Sequence, residues 1–440
     1  MRFSKYILTF ILSAGSFAAF AQQPNTLSLQ QCLDIAIKNN LTVKQNALST
    51  EQARIGYVQS IDNLFPSITS GASRQLTSGR ALNPVTNAYI TQSVTSDNYN
   101  LDGQVRLFNG FALQNAIKQA SLSYQSGQMA YQAAKDIVTV NLITNYLQVL
   151  DAQEIVKQDT SQLAVAKESL DRSEILEKQG ANKNASDVYD LRGSLQVSKV
   201  NLVNGQNALV AARLSLFQLM NIPYNRDAQL LPLNAADLQG NNGLNPEDVY
   251  NTALQQLATI KAATLMRQSA EKGVQYFKGL LFPTLSLGSG IGTNYSNLNT
   301  ASYTSQFRNN YGTYVQLGLN IPIFTNHVRK NNVSLAKLNL QYYANIEDNT
   351  KVQLRQNVEQ AFYNMTAAYS RYQALQEEAA AFAESFRISK IRYESGVITS
   401  VEYITSKNNM DAASLGLISA RYDYFIYSKI LDYYQGKLSL

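Results

Sequence analysis

The chain has 440 residues with a formal net charge of +6; 45% are hydrophobic, one is histidine, one is cysteine and none is tryptophan. A lone cysteine forbids an intramolecular disulfide, and with a lone histidine it excludes multi-histidine zinc sites and cysteine–histidine dyads. Lys and Arg are scattered rather than striped, which gives no footprint for nucleic acid, and no phosphate-binding glycine loop opens a helix.

Residues 1–21 carry Arg2 and Lys5, an apolar stretch from Tyr6 to Phe20 and the small-x-small run Ala19-Phe20-Ala21. This reads as a secretory signal, removed before Gln22. No later segment approaches the ~20 apolar residues of a spanning helix, which excludes a cytoplasmic-membrane transporter. In LSLQQCLDIAIKNN, Leu29, Cys32, Leu33 and Ala36 share one helical face, so Cys32 is expected to be a small buried apolar residue. It lies too far past the cleavage point to serve as a lipid acceptor.

A hairpin of strands follows at about 65–108. Ile68 to Leu76 alternate weakly; Tyr99, Leu101, Gly103, Val105 and Leu107 alternate strictly with Asn100, Asp102, Gln104 and Arg106. From Phe111 to Gln179 there is no proline and one glycine, Gly127, and helix formers dominate. Leu142, Tyr146, Val149, Gln153 and Val156 begin a run of alternating four- and three-residue steps that reaches Leu170, the mark of helices supercoiling on neighbours. The 72 residues from Phe108 to Gly180 would make a helix about 100 Å long, and the return from Gly180 to Asn221 one of about 60 Å. Such a molecule must be elongated.

The same series then recurs. Ala36 and Lys44 have counterparts in Ala253 and Lys261, and Leu64-Phe65-Pro66 in Leu281-Phe282-Pro283, at an offset of 217. Arg106-Leu107-Phe108 recurs as Pro322-Ile323-Phe324, and Gln179-Gly180 as Ser395-Gly396, at an offset of 216. Strands are expected over Leu285–Tyr295 and Tyr311–Ile323, and a second proline- and glycine-free helix runs from Ile323 to Ser395, with Val358, Phe362, Met365, Tyr369 and Tyr372 in its repeat. The chain thus divides into two units, 22–243 and 244–440. The first has its long helical hairpin at about 109–221; the second has a β-hairpin at about 282–324 and a helical hairpin at about 325–436.

The strands admit two readings. They could be small amphipathic hairpins packed on the helices, or transmembrane strands of around 10 residues with tyrosines near their ends. Four strands cannot close a barrel, and open edges are not tolerated in lipid. Two copies would pool eight strands around a filled interior, while three would pool twelve around a channel, which suits the polar face better.

On these signatures the chain resembles the TolC family of outer-membrane efflux proteins over essentially its whole mature length: LSLQQCLDIAIKNN, LFPS and LFPT, RLFNG and PIFTN, and the tip motifs ILEKQGANKNASDVYD and KIRYESGVITSVEYI. The resemblance implies an α+β membrane protein, a homotrimer whose 12-stranded outer-membrane β-barrel (four strands per chain) continues as a 12-helix periplasmic α-barrel. It implies the outer-membrane channel component of a tripartite efflux or type I secretion system. The partners would be a periplasmic adaptor (membrane fusion) protein, an inner-membrane pump of proton-driven or ABC type, and outer-membrane lipid. No enzyme activity, cofactor, metal or nucleic acid is implied. A soluble periplasmic coiled-coil scaffold and a passive porin are the alternatives, and six dispersed methionines disfavour a copper exporter with a methionine relay.

Gly180 and Gly396 stand where each helix pair reverses, a place for left-handed helix caps and, by resemblance, for adaptor contact. Glu402, six residues past Gly396, matches the family's acidic aperture position, where three copies would form a carboxylate ring; it is also a favourable helix-start glutamate. Thr405 replaces a second acid. Tyr393 and Asp187 match a pair that ties neighbouring hairpins in the closed state, with a one-residue insertion before Asp187 and Ile398 in place of the family's arginine. Alternatively, Ser186 or Asp187 simply caps the return helix. His327, just past PIF, suits a solvated or capping role.

Overall fold

The structure is a computed structural model that describes residues 26–83, 86–180, 186–232 and 245–437. The expected signal at 1–21 lies outside them. In chain order the first half holds β1 (Thr26–Leu27), α1 (Leu29–Asn39), α2 (Leu41–Asp62), β2 (Ser67–Thr77), β3 (Arg80–Leu82), β4 (Tyr89–Thr91), β5 (Val94–Phe108), α3 (Ala112–Lys178), α4 (Ser186–Leu219) and β6 (Gln229–Leu230). The second half holds α5 (Pro246–Gln256), α6 (Ala258–Gly279), β7 (Thr284–Ser296), α7 (Tyr303–Asn309), β8 (Gly312–Asn320), α8 (Val328–Glu394) and α9 (Ser400–Tyr434).

Local chemistry sets the boundaries. Ser28 and Gln31 exchange side-chain and backbone bonds at 3.0 and 3.2 Å, a capping box that starts α1. One Asn40 side-chain oxygen lies 2.9 and 3.2 Å from the Thr42 and Val43 amides and starts α2. The long helices α3 and α8 each run 67 residues, about 100 Å at 1.5 Å per residue. Both begin after two consecutive left-handed residues: Gly110 and Phe111 (φ 64° and 62°) in one half, Asn326 and His327 (φ 49° and 60°) in the other. His327 therefore holds the N-cap position of α8, yet its side chain makes no capping bond; its ring meets Phe324 edge-on at 5.6 Å.

β2, β5, β7 and β8 form one antiparallel sheet in that order, and the β5–β7 pair joins the two halves. Register puts Leu101 opposite Ile291, Val105 opposite Leu287, and Leu287 opposite Leu317, which assembles one apolar face. The other face carries Asn100, Asp102, Gln104 and Gln316, and the Tyr314 hydroxyl donates to Asp102 at 2.9 Å across β7. β8 stops at Asn320, short of the expected Ile323, because Pro322 offers no N–H to the ladder. Among the described residues, β2 and β8 are each paired on one side only.

Two cores lie midway along the long helices. One gathers Cys32, Leu142, Tyr146 and Leu216; the other gathers Ala253, Val358, Tyr424 and Leu431. Cys32 is fully buried, as its helical face predicts, and burial pushes its thiol up to about 11, leaving it inert. The buried Tyr146 hydroxyl reaches the Leu231 carbonyl at 2.6 Å and the Leu27 carbonyl at 3.2 Å, stapling the β1–β6 pair to α3. Along α8 no residue past Ala368 is fully buried, and Tyr372 and Phe386, although packed against α9, stay half-exposed.

Two predictions follow from these contacts. A Cβ on Gly110 would collide with the Gly279 carbonyl oxygen, on a backbone with φ +64°. Gly110→Ala should therefore displace the strand-to-helix junction and cut the yield of folded protein; a normal yield and melting curve would refute this. On the α3–α9 seam, burial first, and then the charges of Asp423 and Glu154, push Asp151 up to about 6. A raised carboxylate favours the protonated folded state, so this stabilisation is present at low pH and is lost as pH rises through roughly 4 to 6. Asp151→Asn should flatten the melting temperature across that window and raise it at neutral pH; an unchanged slope would count against the assignment.

Candidate functional site

The candidate site is built where α3 and α8 end and α4 and α9 begin. Each long helix closes on a left-handed glycine, Gly180 at φ 68° and Gly396 at φ 69°. At the second tip the Val397 amide bonds the Arg392 carbonyl and the Gly396 amide bonds the Tyr393 carbonyl, both at 2.9 Å, which is the Schellman arrangement. A Cβ at either glycine would meet nothing within 4 Å, so backbone conformation alone favours glycine there. Both glycines are exposed on the outermost turns.

The return helix α9 starts on Thr399, whose hydroxyl accepts from the Glu402 amide at 3.3 Å. The next residue, Ser400, is 1% exposed and lies 2.9 Å from Asp187 Oδ1 and 3.0 Å from Asp190 Oδ2. Its single proton can serve one carboxylate at a time. Asp187 sits in the first turn of α4, so this contact ties the start of one return helix to the start of the other.

Three more contacts bind the two hairpins. Arg172 on α3 pairs with Glu394 on α8 at 3.1 Å. The Tyr403 hydroxyl meets Ser169 at 2.8 Å, and Ser169 in turn bonds the Val165 carbonyl. The Tyr393 ring stacks on Tyr403 with centroids 4.8 Å apart, and its hydroxyl pairs with Ser173. Burial raises the Tyr393 phenol above its ordinary range, and the nearby Asp187 charge adds to the shift.

Of the sequence-derived candidates, Asp187 and Tyr393 line one cleft of about 620 Å³ together with Gly396, Arg172 and Glu394. Glu402 lies outside that cleft, with its side chain exposed. Gly180 ends the other long helix. Sequence reading missed Ser400, Asp190 and Tyr403. Their signal was available: Asp187 with Asp190, and Ser400 with Tyr403, are i,i+3 pairs on facing helices. Farther along α9, Lys407 is 2% exposed and pairs with Asp411, whose carboxyl burial pushes up while Lys407 opposes the shift. Among the described residues no group of three or more His, Cys, Asp and Glu could hold a metal ion.

The sequence profile described as "Outer membrane efflux protein" matches residues 32–221 and 249–433. The chain is 22% identical over 400 residues to the cation efflux system protein CusC of Escherichia coli K12, covering 88% of this chain and 81% of that one. It is 22% identical over 422 residues to the outer membrane protein TolC of the same organism, covering 94% and 83%. Its fold matches the Campylobacter jejuni CmeC outer membrane channel with a TM-score of 0.79 at 18% identity, over 94% of this chain and 87% of that one.

The Ser400 contact can be tested directly. Ser400→Ala removes the donor facing two carboxylates and should cost about 1–2 kcal/mol locally, seen as roughly tenfold faster hydrogen exchange in the first turns of α4 and α9. Ser400→Thr should exchange like the parent. Equal protection in all three proteins would dismiss the tie.

Proposed function

This chain belongs to the outer membrane efflux protein family, a family of channels rather than enzymes, and we propose that it works as a homotrimeric exit duct. Three copies pool four strands each into a 12-stranded barrel and their long helices into a periplasmic tube. The observation that carries this reading is the sheet with β2 and β8 each paired on one side only. In lipid an unpaired edge costs several kcal/mol per exposed backbone group, so each edge needs a partner strand from another copy. Two copies would close eight strands around an interior that side chains fill. The polar face of Asn100, Asp102, Gln104 and Gln316 calls for water, which favours three.

The family's tripartite arrangement supplies the remaining parts: a periplasmic adaptor protein and an inner-membrane pump, proton-driven or ABC type, serving efflux or type I secretion. The exposed tips at Gly180 and Gly396 are the surfaces offered to the adaptor. Residues 1–21 act as the export signal, and the two halves, 22–243 and 244–440, descend from a duplicated unit. Asp187 and Tyr393 contribute to holding the tips closed. Glu402, exposed on the first turn of α9, forms a three-carboxylate ring at the periplasmic aperture.

Reconstitution of the purified protein into a planar bilayer tests the duct. Discrete conductance steps from a cross-linkable trimer are expected; a freely soluble protein without conductance would instead support a periplasmic scaffold. Within the duct, Glu402→Gln should lower cation preference and alter single-channel conductance, because like carboxylates in a narrow lumen attract cations. Unchanged selectivity and conductance would remove Glu402 from the aperture.

A further inference from the structure

The connection between β7 and β8 does not stand free above the sheet. Its helix α7 is folded back onto one face, and the register identifies which. Tyr99 is opposite Thr293, and Asp97 opposite Tyr295, so these four residues lie on the face that carries Leu101, Ile291, Leu287 and Leu317. The α7 contacts fall on that same face. Tyr303 and Tyr99 share a hydroxyl–hydroxyl bond at 2.8 Å, the Tyr295 and Tyr303 rings lie 4.8 Å apart, and the Thr293 hydroxyl donates to the Phe307 carbonyl at 2.7 Å.

A buried amide holds the helix there. Gln306, 1% exposed, accepts from the Ser296 amide at 2.9 Å and donates to the carbonyls of Ser296, Asn299 and Ala301. Tyr303 and Phe307 pack against Tyr99 and Tyr295 of the sheet, yet they remain 41% and 43% exposed and stack with centroids 6.4 Å apart, so part of each ring stands on the outer surface. Amphipathic aromatic side chains of this kind collect where hydrocarbon meets water.

The level of α7 agrees. Tyr295 lies ten residues beyond Leu285 on β7. At about 3.3 Å per residue and a tilt of about 40°, that span is roughly 25 Å high, the height of an outer-membrane hydrocarbon band. At the same level the apolar face acquires its first ion pair, Arg74 with Asp97 at 2.7 Å, a charge pattern that belongs at the boundary and not in the hydrocarbon.

We propose that α7 is an interfacial anchor, laying Tyr303 and Phe307 into the headgroup–acyl boundary of the outer leaflet on the outside of the barrel. The lipid is the partner, and the surface continues the lipid face formed by the strands. A helix held outside also leaves the channel mouth clear of this loop. The inference rests on the outer-membrane reading above, and the test separates the two.

Because the chain has no tryptophan, one introduced tryptophan reports its own surroundings. Phe307→Trp and, in a separate protein, Val315→Trp on the lipid face of β8 are reconstituted into phosphatidylcholine vesicles with and without brominated acyl chains. Both are expected to lose emission to bromine, with Phe307→Trp quenched more by bromine near the headgroup than by bromine near the chain end. Quenching at 315 with red-shifted, unquenched emission at 307 would overturn the anchor while leaving the barrel standing. Blue, unquenched emission at 307 would mean that protein covers the helix, and it too would overturn the anchor. No quenching at 315 would instead undermine the barrel itself. Adding Gln306→Ala to Phe307→Trp should abolish quenching at 307, and persistent quenching would overturn the role assigned to Gln306.

Discussion

Backbone hydrogen bonding at the two outer strands is the constraint on which the rest of this structure depends. Among the described residues, β5 and β7 are paired on both sides, whereas β2 and β8 are not. In water an unpaired edge is a liability; in a bilayer it is prohibitive. On the proposed duct reading, the apolar face across Leu101, Ile291 and Leu317 would lie in lipid, and the ladder would continue into another copy. The helices repeat this demand in a second form. Below Ala368 the apolar repeat of α8 is only half-covered by α9 within its own chain, and a tube of neighbouring helices would cover the rest. Sheet and helix thus fail to close at opposite ends of the molecule for want of the same thing.

The two halves meet these demands with matching elements of unequal detail. α3 and α8 are equal in length, and both follow a pair of left-handed residues. The tips differ. Five residues lie between Gly180 and Ser186, the first of α4, while three lie between Gly396 and Ser400, the first of α9. The first tip contributes carboxylates, Asp187 and Asp190; the second contributes the hydroxyl of Ser400 and the rings of Tyr393 and Tyr403. A symmetric pair of tips would have set like groups against like, and the divergence lets one complement the other.

Much of this was legible in the sequence, for physical reasons that can be named. Long proline-free runs with a regular apolar period dictate long helices, and strict alternation at Tyr99–Leu107 dictates a two-faced strand. Left-handed conformations at Gly180 and Gly396 were readable because glycine is the residue that adopts them most cheaply. Phe111 and His327 were not readable, since nothing in their chemistry announces a positive φ; the junction imposes it from outside. The end of β8 was overrun because alternation continues through Ile323, although Pro322 had already removed the ladder bond. Ser400 and Lys407 were missed for a common reason. A hydroxyl or ammonium on a helix reads as solvated until a neighbouring helix covers it, and that neighbour comes from the other half of the chain.

These ties bear on how the tips could move. Arg172 with Glu394, Tyr403 with Ser169, and Ser400 with Asp187 all join hairpins of one chain, and all are flanked by the buried cluster of Leu170, Val188, Leu191 and Tyr403. Separating the hairpins would uncover that apolar surface and strand Ser400, a buried donor, at a cost of about 1–3 kcal/mol for the lost hydrogen bond alone. Glu402, by contrast, is exposed and does not line the cleft. Widening the proposed aperture by parting the two hairpins of one chain would have to break all of these ties. The two hairpins of a chain would therefore move as a unit.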